Sequence, residues 1–582
     1  MPSRFLIVAT LAALGSVASL AGAAPTAPGD LDATFGNGGR LGISVGSADA
    51  YGWKVLIQPD RKIVIAGTVT EYRPPPPPPP PPPGPGRPTS TGSDHGDFFA
   101  LRLTPDGALD ATFGDGGIVR TPIDLIPDGE DAVGGAALAP DGTIVLGGSS
   151  WAPQGGTDFT FVRYTAAGDL DPTFSGDGID TIDIEQYDFG AELALQPDDK
   201  IVSAGEAADA NSFSVIRLLP NGDLDPDFGS SGVVHTQLGQ PAERDQGNSV
   251  NVLDDGRIVV TGTADSSWPL DDYAAVRYLP NGELDESFGE GGIVIVPADR
   301  AQWGYASTVM PDGKLVIGGM AEAPAEFMYE SRLVRLMPDG TVDEDFGDQG
   351  VVTEDFGGSA ATYALAVDPD GKLISAGFSH DGSWSHVKFA LARYNNDGTP
   401  DSGFGDGGVR SYDILGVSDY GFGAALQLIE TSPAGADAKL IQVGQGWDGT
   451  KWQVAASRVL LGPPPPPGPP PPPPPPGPPQ PPPPPGGPPP PPSPPPGPPP
   501  PPAPPPSEPP PSPPVLCRVP RVTGLRLPAA KTRIRRRNCS VGRIRSRRSA
   551  NRRGIVIRQS PRPGATLARG APVRLVVSRG RR

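Results

Sequence analysis

Cysteine is nearly absent. The 582 residues hold two, Cys517 and Cys539, both near the C-terminal end. The long stretch before them must therefore stand on packing alone, without disulfides or a thiolate metal centre. Histidine is equally scarce, at four (His95, His235, His380 and His386), none in a recurring ligand spacing and none paired with cysteine. No phosphate loop or dinucleotide fingerprint occurs, which leaves no nucleotide cradle to read. No segment holds the roughly 20 apolar residues of a membrane-spanning helix, and no helical apolar period recurs. From Val515 to Arg582 there is not one Asp or Glu.

What is present is divided sharply by charge. The tail from Val515 carries 21 Lys and Arg; the residues before it hold the other 26 basic side chains and all 66 acidic ones. Such a split speaks to partners and solubility, not to fold. Residues 1–23 read as an export signal: Arg4, an apolar core from Phe5 to Leu20, and the small-residue site Ala21-Gly22-Ala23. The expected protein is secreted, with no transmembrane span, and its two cysteines are expected to form one disulfide.

A segment of the form Gly-x-Leu-Asp-x-x-Phe-Gly recurs seven times, with Phe35, Phe113, Phe174, Phe228, Phe288, Phe346 and Phe404 in register. Its period is near 60 residues, stretched to 78 between the first two by a proline-rich insertion at 73–92. Each unit then shows a short β-branched run, an apolar run ending at Pro-Asp-Gly, a second apolar run, and an alternating run that closes on Arg. Asp-Gly pairs between apolar runs are hairpin signals. Four short strands per unit predict an all-β, seven-bladed β-propeller over 29–461, each unit a blade; an open β-solenoid is the rival. The unit resembles the delta-60 repeat family of bacterial secreted proteins, which implies an architecture and no particular activity. The seventh unit departs from the pattern, with Thr399-Pro400-Asp401 in place of Gly-Leu-Asp.

Two charged positions keep the same register. Asp32, Asp110, Asp171, Asp225, Asp285, Asp343 and Asp401 open the units; Arg102, Arg163, Arg217, Arg277, Arg335, Arg393 and Arg458 close them. Six arginines precede an aspartate by eight residues. A ring of ligand-binding charges is one reading. A salt-bridged corner repeated in every blade is the favoured one, because the pair is indifferent to the variable loops. Asp32 and Arg458, each without a sequence partner, are expected to meet where the ring closes.

Residues 463–514 are almost wholly proline, a polyproline spacer of about 3.1 Å per residue. Beyond it, residues 515–580 combine Val519-Pro520, a helix from Leu527 to about Arg537, the turn Gln559-Ser560-Pro561-Arg562-Pro563-Gly564 and a closing strand Val573–Ser578. This order resembles the PASTA domain, a small α+β module. The resemblance implies peptidoglycan or β-lactam binding, although the arginine-rich helix departs from the pattern and no ligand residue carries over. A tail of this charge suits an anionic wall polymer. Nucleic acid is the rival for such a patch, disfavoured by export and by the lack of interleaved aromatics.

The reading is a cell-wall- or surface-associated, non-catalytic binding protein. Its propeller is expected to meet an unknown protein or glycan, and its tail peptidoglycan or another anionic polymer. No catalytic residue, cofactor or metal site is expected, and the chain is expected to be a monomer. The competing class is an exported propeller hydrolase or lyase with its site in the central channel. Trp151, Trp268 and Trp303 are expected in the loops that carry specificity.

Overall fold

The computed structural model describes residues 27–73, 93–462 and 516–579, apart from short stretches at loop tips and in the tail. The expected export signal (1–23), nearly all of the proline insertion and the expected linker 463–514 lie outside these residues. The chain divides into two units, Met1–Pro464 and Pro465–Arg582. No helix among the described residues is long and apolar enough to cross a membrane.

In the first unit the apolar, alternating and β-branched runs of the repeat form strands that pair into four-stranded antiparallel sheets, seven of them among the described residues. Blade 1 runs Asp49–Ile57, Ile63–Arg73, Ser93–Leu103 and Ile118–Thr121 from the inside outwards. Blades 2 to 6 repeat the order over 131–182, 188–236, 246–296, 302–354 and 359–412. Blade 7 has three consecutive strands, Asp419–Gln427, Lys439–Trp447 and Trp452–Leu460, and takes its outer strand, Arg40–Ile43, from the start of the chain. That borrowed strand closes the ring.

This corrects the expectation that each sequence unit is one blade. The Leu-Asp-x-x-Phe-Gly segment lies between the third and outer strands of a blade. A unit counted from it therefore supplies one outer strand and then three strands of the following blade. The frame differs by one strand because the sequence signal marks a corner, while a blade begins at its inner strand.

The blades cohere through apolar layers between neighbouring sheets. Phe98 and Ala100 of blade 1, for example, share a core with Val133, Leu146 and Val162 of blade 2. Each corner phenylalanine is buried, and burying one contributes about 1.5–3 kcal/mol. The strand directions create two unlike ends. One end holds the corners and the ends of the inner strands; the other holds the starts of the inner strands, the ends of the second strands and the starts of the third.

In the second unit Ser540–Arg547, Pro572–Ser578 and Val556–Ser560 form a three-stranded sheet, and Leu516–Arg518 pairs with Thr566–Ala568. Leu527, Ala530, Lys531 and Ile534 are helical. Cys517 and Cys539 form a disulfide within a core that includes Val522, Ile534, Val573 and Leu575. Gln559 ties the last turn to the first: its amide donates to the Pro520 carbonyl at 2.7 Å and accepts from Val522 N at 2.6 Å.

Candidate functional site

The recurring charges meet in every blade. Arg102 Nε lies 2.8 Å from Asp110, Arg217 Nε 2.9 Å from Asp225, and Arg277, Arg335 and Arg393 each lie 2.7 Å from Asp285, Asp343 and Asp401. Arg163 reaches Asp171 at 2.8 Å, and Arg458 reaches Asp32 at 2.8 Å across the closure of the ring. Each guanidinium sits 4.3–4.9 Å from the centre of a corner phenylalanine ring, where a cation is attracted to the π face. Its remaining arm donates to a carbonyl in the matching turn of the next blade: Ala166, Pro220, Pro280, Pro338, Asn396, Leu461 and, from Arg458, Pro105. The pairs fix each corner and clasp it to its neighbour.

A third partner, which the eight-residue spacing does not point to, joins the pair in six blades. Lys62, Lys200, Arg257, Lys314, Lys372 and Lys439, each opening a second strand, lie 2.6–3.6 Å from the corner aspartates of blades 1 and 3 to 7. Blade 2 has Thr143 there, and its pair is the more exposed, at 12% and 15%. Burial alone would raise the Asp32 carboxyl, but hydrogen bonds from Lys439 and Thr34, with Arg458 beside it, hold it at about 2. Thr112 leads the groups that lower Asp110. Charges this deeply buried and mutually saturated offer little to a ligand.

The channel differs. In each inner strand the pairing slips by one residue at the same position, a β-bulge. The extra residues are Trp53, Gly134, Ala191, Asn248, Tyr305, Tyr363 and Phe422. A glycine on the second strand makes room for each bulge. A Cβ at Gly67 would lie 1.9 Å from the Tyr51 carbonyl oxygen, and one at Gly444 would lie 1.8 Å from that of Tyr420.

The bulges make the channel lopsided. The four aromatic residues come from consecutive blades: 5, 6, 7 and 1. Tyr305 and Tyr363 stack at 4.6 Å with planes 2° apart, Tyr363 meets Phe422 edge-on at 5.4 Å, and Phe422 meets Trp53 at 4.4 Å. Above this arc lies a pocket of about 730 Å³ at the end opposite the corners, lined in part by Tyr51, Trp53, Tyr363, Tyr420, Thr70 and Gln445. Glu130 is the single carboxylate among its described lining residues. Burial raises the Tyr363 and Tyr420 phenols above their ordinary value, so neither is poised as a base near neutrality. Below the arc is a cavity of about 180 Å³, where Lys54 of blade 1 pairs with Glu192 of blade 3 and Ser307 Oγ donates to Ser249 Oγ at 3.0 Å.

Other candidates scatter. His235, in the outer strand of blade 3, bonds Ser214 of the third strand at 3.0 Å, and His380 Nδ1 accepts from Gly382 N at 3.1 Å three blades away. Asp448 caps its own turn, accepting from Thr450 N at 2.7 Å and Lys451 N at 2.9 Å. A Gly-x-Ser-x-Gly spacing, expected to be absent from the chain, is present at Gly42 to Gly46; it runs off the end of the outer strand of blade 7, with Ser44 exposed just beyond the strand. One carboxylate trio among the described residues has cation-ligand spacing: Asp158, Asp183 and Asp188 lie within 4.8 Å of one another. Burial pushes the Asp188 carboxyl up to about 7 against hydrogen bonds from Ile184 N and Glu185 N. Of the tryptophans expected in specificity loops, Trp303 instead sits in the inner strand Gln302–Val309 and Trp151 ends the second strand of blade 2. Trp268 lies outside the described residues.

In the tail, Arg543, Arg545, Arg547, Arg558 and Arg574 are exposed on the three-stranded sheet. Nothing acidic in the tail's sequence offsets them.

The family described as "Domain of unknown function (DUF5122) beta-propeller" matches six segments: 89–113, 139–174, 196–228, 253–288, 311–346 and 369–404. Residues 518–579 match the PASTA domain. No curated protein matches the chain. Among solved structures, a protein of unknown function from Dyadobacter fermentans is similar at 12% identity and a TM-score of 0.38, over 72% of this chain and 98% of its own. A catalytically inactive virginiamycin B lyase from Staphylococcus aureus, solved with quinupristin, is similar at 10% identity and 0.39, over 72% and 98%. An ulvan lyase of a polysaccharide lyase family is similar at 10% and 0.39, over 73% and 96%.

Proposed function

From the premise that this chain joins a β-propeller of DUF5122 repeats to a PASTA domain, we propose an extracellular, wall-associated binding protein without catalysis of its own. The tail attaches it to an anionic wall polymer, and the propeller presents a ligand pocket. One observation carries the reading: the pocket lies at one end of the propeller and its last described strand finishes at the other. The last strand, Trp452–Leu460, starts at the pocket end and finishes among the corners, so the chain leaves for the proline linker on the far side from the aromatic arc. Display requires that attachment leave the binding face open, and the chain does not leave the propeller through that face.

The chemistry of the two regions supports the division. PASTA domains in general bind peptidoglycan or peptides, and five exposed arginines on one small sheet add attraction to phosphates and carboxylates. The pocket has aromatic walls and one carboxylate among its described lining residues, where a hydrolase or lyase needs at least an acid and a base in reach of one bond. The test is co-sedimentation of the full chain with purified sacculi across a salt series. Saturable binding that weakens with salt, and weakens further in Arg545→Gln/Arg558→Gln/Arg574→Gln, is the expected result. No sedimentation at low salt overturns the attachment.

A further inference from the structure

The pocket's ligand class follows from what lines it, on the premise just stated that the pocket is a ligand site. Its volume, about 730 Å³, sits inside the range of small-molecule sites, roughly 300–1,000 Å³. Trp53, Tyr363 and Phe422 supply a continuous apolar wall, joined ring to ring at 4.4 and 5.4 Å. Hydroxyl and amide groups alternate with that wall: Thr70 is half-buried on the blade 1 side, and Gln445 is half-buried on the blade 7 side. A purely greasy ligand would leave those polar groups without water or a partner, which is costly. A pyranose ring answers both needs, since its axial C–H groups form an apolar face for an aromatic ring while its equatorial hydroxyls reach outward to hydrogen-bond.

We propose that the aromatic arc at the pocket end of the channel is a binding site for an uncharged pyranose oligosaccharide. Charge selects against acidic sugars. The pocket's described lining holds no cation, and the residues before the tail carry 66 acidic side chains against 26 basic ones. The repeat supplies the geometry: a bulge at one register position in every inner strand sets a residue at one level of the channel. Four consecutive blades use that position for an aromatic ring, while blades 2, 3 and 4 place Gly134, Ala191 and Asn248 there, none of them aromatic. Tyr51-Gly52-Trp53, Trp303-Gly304-Tyr305 and Tyr420-Gly421-Phe422 write the device into the sequence as aromatic-Gly-aromatic.

Isothermal titration of the full chain with cellotetraose, chitotetraose, mannotetraose and xylotetraose tests the assignment, with tetramethylammonium as a cationic probe of the same rings. At least one tetrasaccharide is expected to bind. Trp53→Ala should weaken it tenfold or more, and so should Thr70→Trp, which fills the pocket without removing a ring. If no tetrasaccharide binds, or if Thr70→Trp leaves the affinity unchanged, the saccharide assignment is overturned. Tetramethylammonium binding that Thr70→Trp abolishes, without saccharide binding, would keep the pocket as a ligand site and discard the sugar. No binding of any probe would discard both.

Discussion

The two ends of the propeller are built on opposite principles. At the corner end every blade repeats one construction: arginine over phenylalanine, aspartate against arginine, and an arm to the next blade's carbonyl. At the pocket end the blades agree only in backbone, through the bulge and the glycine facing it, and the side chain at the bulge runs from Gly134 to Trp53. Even the carboxylates part ways. Asp32 is held at about 2 by its cationic and hydroxyl partners. Asp188 and Asp419, which open inner strands and accept from backbone N–H groups, are pushed by burial to about 7 and about 6. The six DUF5122 matches fall on the same divide, each ending at a corner phenylalanine and none reaching an inner strand. A closed ring fixes where its blades meet and leaves the channel wall free to vary. In this protein the scaffold and the site are different ends of the same strands.

The contrast breaks most visibly at a corner. Arg335→Ala leaves the Asp343 carboxylate buried with only Lys314, 3.0 Å away, to offset it. It should cost about 3–5 kcal/mol, toward the lower value because of that lysine. Arg163→Ala in blade 2, whose pair is more exposed, should cost less. Urea denaturation with an unchanged slope reads both; equal, small losses would mean that the corners are not what holds the ring. The closure sharpens the point at lower energy. Asp32→Arg and Arg458→Asp should each destabilise, and the double reversal should recover about 0.5–3 kcal/mol of coupling. Purely additive losses would show that the first and last units do not depend on this pair.

Where the sequence repeats, it could be read. The corner phenylalanines and the Arg and Asp positions gave the period, the strand count and the pairs, because one backbone geometry demands the same residues each time. The phase of the blade could not be read, since nothing in a repeating string marks which strand faces the channel. The cations at 62, 200, 257, 314, 372 and 439 were legible in principle, five of them one residue before a second strand and Lys439 its first residue. Each lies 25 or more residues from its aspartate in the sequence, against eight for six of the arginines, so only the fold brings them together. The aromatic arc was hidden for a deeper reason. Its residues share a position without sharing an identity, and their contact arises only when blades 5, 6, 7 and 1 are set side by side. In the tail, Leu516–Arg518 and Thr566–Ala568 are too short to show a period, and only their pairing makes them strands.

The smallest effect is the one that separates the two ends by titration. Unfolded, Asp188 ionises near 3.8; folded, it holds its proton to about 7. The native state therefore binds more protons than the unfolded state between these values, and stability falls as pH rises through that window. Above pH 8 both states are ionised and the dependence ends. Between pH 6 and 8 the loss should be about 1 kcal/mol. The corner aspartate works in the opposite sense. With its native pKa at about 2, Asp32 contributes stability that is complete above its unfolded value of 3.8 and is lost only as pH falls toward 2. Asp188→Asn, which keeps an acceptor for Ile184 N, should flatten the neutral slope and leave the acid limb untouched. Asp32→Asn should do the reverse. If Asp188→Asn left the slope between pH 6 and 8 as steep as before, the pocket-end carboxylates would not be titrating in that range, and the electrostatic part of the contrast between the two ends would fall.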